Sequence, residues 1–81
     1  MMDPNDIRTK EEFVEFVYYL RNVYRNEPSR WQNDTTESYL DALAGWVESM
    51  EGAYLNRNEK MPQDVNWNVI ARMLGAATIY D

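Results

Sequence analysis

The sequence predicts an all-α fold, a small bundle of three helices at about residues 9–26, 35–56 and 66–80. Three observations carry that reading. Apolar residues recur at helical spacing in three stretches. No stretch shows the period-two alternation of a strand. Loops rich in Asn, Asp and Pro separate the stretches, and no internal repeat or low-complexity tract is visible. With 81 residues the chain has room for one domain.

Residues 1–8 read as a flexible lead-in, and 9–81 as a single helical domain. Thr9 followed by Glu12 has the spacing of a capping box, in which each side chain satisfies a backbone N–H that the helix start leaves free. Phe13, Phe16, Val17, Leu20, Val23 and Tyr24 then make one face, and Pro28 stops the helix near Asn26. Residues 27–35 form a loop from which Trp31 is expected to lie back over the core. Asp34 or Thr35 can cap the second helix, with Leu40, Leu43, Val47, Met50 and Tyr54 on its apolar face. Asn56, Asn58 and Pro62 mark the next loop. Asn66 can cap the third helix, whose main stripe is Trp67, Ile70, Ala71 and Leu74, with Val69, Met73, Ala76 and Tyr80 beside it.

The composition excludes several kinds of chemistry. Fourteen Asp and Glu against eight Lys and Arg leave a net charge of -6, so direct contact with nucleic acid is not expected and a basic protein surface is the natural complement. There is no Cys and no His, which removes thiolate nucleophiles, the usual acid–base residue and soft metal sites. Asp64, Asn66 and Asn68 begin like a calcium loop, but that loop would need Gly where Val69 stands and Glu where Gly75 stands. No catalytic residue, cofactor or metal is expected, and the protein is not expected to be an enzyme. No leader peptide or membrane span is read, and a cytoplasmic location is the expectation.

The second helix carries the most unusual signal. Residues 34–52 hold five acids and no base. On a wheel at 3.6 residues per turn, Asp34, Glu37, Asp41, Glu48 and Glu51 fall within an arc of roughly 100°, a stripe about 25 Å long. Beside it runs a lane of small residues, Ser38, Ala42, Gly45, Ser49 and Ala53, which suits close approach by a neighbour, expected to be internal. The ordinary reading is a solvated face neutralised in part by Arg21, Arg25, Arg30 or Arg57. The functional reading is a row of carboxylates that imitates nucleic acid phosphates and competes for a basic groove. Apolar surplus off the main faces makes Tyr18, Tyr19 and Trp31 candidate contact residues, with Tyr80 a further aromatic in that surplus.

The pattern Trp31-Gln32-Asn33, Tyr39-Leu40-x-Ala42-Leu43-x-x-Trp46, Pro62, Asn66-Trp67 and Ala76-Ala77-x-x-Tyr80-Asp81 resembles a family of small acidic bacterial proteins. The likeness spans about residues 11–81, rests on Trp and Leu positions, and brings no activity with it. In size and charge such proteins are similar to toxin-immunity proteins and to phage inhibitors of bacterial defence, including anti-CRISPR proteins. The expectation is a non-enzymatic inhibitor that docks through Asp34, Glu37, Asp41, Glu48 and Glu51 on a nuclease or CRISPR-type complex in the bacterial cell. The alternative is a homo-oligomeric structural or regulatory module, a homodimer packed through the third helix.

Overall fold

The computed structural model describes residues 2–80. It contains three α-helices, α1 (Lys10–Asn26), α2 (Thr36–Asn56) and α3 (Trp67–Ala77), with 3-10 turns at Pro4–Asp6 and Pro28–Arg30. No strand occurs among the described residues. The fold is therefore the all-α bundle the periodicity predicts.

Local chemistry sets the helix ends. Thr9 and Glu12 form the capping box: Glu12 N–H donates to Thr9 Oγ1 at 3.1 Å, and Thr9 N–H donates to Glu12 Oε1 at 3.0 Å. The backbone N–H of Arg8 also donates to that carboxylate at 2.8 Å, and this bond is the main cause of its lowered pKa. Thr35 caps α2, with Ser38 closing a second capping box. At the far end Asn58 adopts φ 56°, while Glu59 N–H reaches Tyr54 O at 2.9 Å and Asn58 N–H reaches Leu55 O at 3.0 Å. Those two bonds define a Schellman end, and Asn tolerates its left-handed position better than most residues. Asn66 accepts from Val69 N–H at 2.9 Å and starts α3.

The third helix ends at Ala77 rather than near residue 80. The cause lies 44 residues earlier in the chain. Asn33 Nδ2 donates to Ala77 O at 2.9 Å and to Tyr80 O at 2.7 Å, and Asn33 N–H donates to Thr78 O at 3.0 Å. With its last carbonyls held from outside, the chain tightens into a turn.

α3 is the centre of the molecule. α1 and α2 each pack on α3 rather than on each other, and the Pro4–Asp6 turn covers a third side. Phe13 meets Trp67 and Phe16 lies under Gly75, so α1 runs parallel to α3. Gly45 meets Tyr80 while Met50 and Tyr54 pack with Val69, so α2 runs antiparallel. The result is a flattened body, 34 × 28 × 18 Å.

Two sequence expectations change here. Residues 4–8, read as a lead-in, fold onto α3: Ile7 is 3% exposed in a cluster with Phe16 and Ala71, Asn68 Nδ2 donates to Pro4 O at 2.6 Å, and Arg72 donates to the Asn5 side chain. The buried face of α2 keeps Met50 and Tyr54 from the expected set but departs from it in the first half of the helix. Ala42, Met50 and Tyr54 are buried, whereas Leu40 and Val47 are exposed. The small lane is the reason. A Cβ on Gly45 would stand 3.1 Å from the ring of Tyr80, three residues past the end of α3, so this segment docks on the small residues and the Leu40–Val47 edge turns outward.

Candidate functional site: an acidic helix edge beside an apolar groove

α2 presents its acids to water along its length. Asp34, Glu37, Asp41, Glu48 and Glu51 are all exposed. Among the described residues none of their carboxylates enters an ion pair or hydrogen bond. Three of the four arginines that could have neutralised them, Arg21, Arg30 and Arg57, are directed elsewhere. Arg30 pairs with Glu27 at 3.4 Å, and Arg57 and Arg72 both pair with Glu59 at 3.2 Å. Arg21 sits over the Tyr18 ring at 4.7 Å and donates to Asn22 Oδ1.

The aromatic candidates separate into different environments. Tyr18 is 53% exposed on the outer side of α1. Tyr19 is half-buried against the Ile7–Phe16–Ala71 cluster. Its hydroxyl is the main cause of the raised pKa of the Arg30 guanidinium. Trp31 is half-buried between two tyrosines, edge-on to Tyr24 at 5.2 Å and stacked on Tyr39 at 5.3 Å. Tyr24 donates to Asp34 O at 2.9 Å, and Tyr39 donates to Leu74 O at 3.0 Å. Burial raises the Tyr39 pKa, which keeps that donor protonated. The loop thus wedges Trp31 between the end of α1 and the start of α2. Trp31 stands beside Asp34 and Thr35, while Tyr18 is not brought to the acids.

The wedge leaves a groove of about 500 Å³ between α1 and α2. Leu20 and Leu74 line it together with Trp31 and Tyr39, and Val17, Tyr24 and Leu40 stand at its edges. Val17, Tyr24 and Leu40 were absent from the residues singled out as contacts by sequence. The available signal was the excess of apolar lanes on α2 over the neighbours able to cover them. Among the described residues no three His, Cys, Asp or Glu side chains gather as a metal-binding group, and no helix is long and apolar enough to cross a membrane.

Fold and surface together define a small all-α domain that exposes an acidic helix edge next to an apolar groove. The chain belongs to a family of unknown function, DUF7660, whose model matches residues 9–81. No curated protein and no solved structure matches it.

Proposed function

We propose that the protein is a non-enzymatic inhibitor that binds another protein through the acidic edge of α2. The partner presents a basic surface of the kind that handles nucleic acid, such as a toxin nuclease or a CRISPR-type defence complex in a bacterial cell. Five carboxylates in line and free of internal partners carry the reading. A purely solvated face needs no such alignment, whereas a row of unpaired acids steers and registers a basic groove. An immunity role or an anti-defence role uses the same surface. The exposed Leu40 and Val47 supply apolar area beside the charge, which acids alone lack.

The test is capture from a bacterial lysate with tagged protein, washed at low and then high salt, followed by an activity assay of the captured nuclease. A companion variant carries Asp41→Lys and Glu48→Lys, two exposed positions outside the core. The expected result is a nucleic-acid-handling protein that is held at low salt, released at high salt, inhibited by the wild type and ignored by the variant. Equal capture and inhibition by both proteins would reject the acidic edge as the binding surface.

A further inference from the structure

We infer that the groove between α1 and α2 seats a basic amphipathic helix of the partner, with apolar anchors inside it and Lys or Arg along the α2 lip. This deepens the inhibitor reading and rests on it. The groove lies between α1, the 31–35 loop and the start of α2, with Leu74 of α3 at its floor. Its volume, about 500 Å³, is that of a ligand pocket, and it is bounded by apolar and aromatic side chains. Val17, Tyr24 and Leu40 stand at its edges 39%, 43% and 56% exposed, which is costly area to leave in water.

The walls select the occupant's form. They are helices whose backbone N–H and C=O groups are used internally, so an extended peptide finds no strand edge to join. Recognition must pass through side chains, as when a helix lays i, i+3/i+4 and i+7 anchors into a groove. The lip selects the charge. Arg21 and Asp34 are the charged residues lining the groove. Arg21 contacts the neutral Tyr18 and Asn22 side chains, while the Asp34 carboxylate just ahead of α2 is unpaired, and Glu37 and Asp41 continue from it into the helix. Three carboxylates against one guanidinium leave the lip net negative. A second copy of this chain would bring another -6 to that lip, which opposes self-docking.

Two synthetic peptides serve as probes, both with Leu at i, i+3/i+4 and i+7. One has Lys at the remaining positions and the other has Glu. Each is titrated into isotope-labelled full-length protein, with the Trp31 indole N–H and the Leu20 and Leu74 methyls as groove reporters. The expected result is that the Lys peptide shifts these three signals and the Glu peptide does not. Leu40→Arg, at an exposed position that leaves the core intact, should weaken Lys-peptide binding by at least about tenfold. Glu48→Lys with Glu51→Lys, lower on α2, should weaken it less. Shifts confined to the acidic edge, with the groove reporters silent and Leu40→Arg without effect, would overturn the groove while leaving the inhibitor reading in place. Equal entry of the Glu peptide would overturn the charge assignment. Absence of any shift, or groove shifts that depend on protein concentration before peptide is added, would reject the proposal, the latter in favour of a second copy.

Discussion

Asn33 does the work of a helix cap from the far side of a loop. Its amide donates to two carbonyls at the end of α3, and because both partners are acceptors the nitrogen must face them. Replacement by Ala deletes both bonds and leaves half-buried carbonyls without a donor, at about 1 kcal/mol each. Asn33→Ala is expected to lower stability by about 2 kcal/mol and Tm by about 10 °C, read by thermal melting. Asn33→Asp keeps the shape but turns two donors into acceptors, so it should melt lower still. A wild-type Tm for Asn33→Asp would show that the bonds contribute nothing. Such a residue was hard to recognise from sequence because its partners are remote. Thr9 with Glu12, Thr35 and Asn66 were readable, since a cap bonds within three residues of itself.

The same division between local and remote holds for whole elements. The existence, order and approximate ends of three helices follow from spacing and caps, and the structure has them. The side of α2 that faces inward did not follow. An apolar lane and a small lane lie side by side on that helix, and periodicity cannot rank them. The decision belongs to the turn after α3, whose Tyr80 ring sits on the small lane because Gly45 lets it approach. The groove at Leu40 follows from that choice, so it too was closed to sequence reasoning, although the acidic stripe was visible. Two glycines separate helix propensity from packing. A Cβ on Gly52 would meet nothing within 4 Å, so Gly52→Ala should stabilise α2 by about 1 kcal/mol. A Cβ on Gly75 would stand 3.3 Å from Phe16, a fully buried ring, and 3.7 Å from Pro4. Crowding there costs more than the roughly 1 kcal/mol that Ala contributes, so Gly75→Ala should destabilise by about 1 kcal/mol. Denaturant midpoints moving in the same direction for both variants would refute this account.

For the molecule as a whole, charge works against compactness. Glu37 with Asp41 at i, i+4, and Glu48 with Glu51 at i, i+3, are like-charged neighbours without compensating bases. Each pair costs a few tenths of a kcal/mol at low salt. Raising NaCl from roughly 10 mM to roughly 300 mM shortens the screening length several-fold, and Tm should rise by about 5 °C. Glu37→Gln with Glu48→Gln should reduce that response. A salt-independent Tm would mean that the stripe is neutralised in solution.

The central position of α3 also bears on how the chain is made. Synthesis delivers α1 and α2 first, and neither packs appreciably on the other. Until the hub leaves the ribosome, only the Tyr24–Trp31–Tyr39 stack links them, and both are marginal in water with their main apolar sides bare. Tertiary structure therefore waits for the last element, and a nascent chain stalled ahead of Trp67 carries two unanchored helices that offer themselves to chaperones rather than to a target.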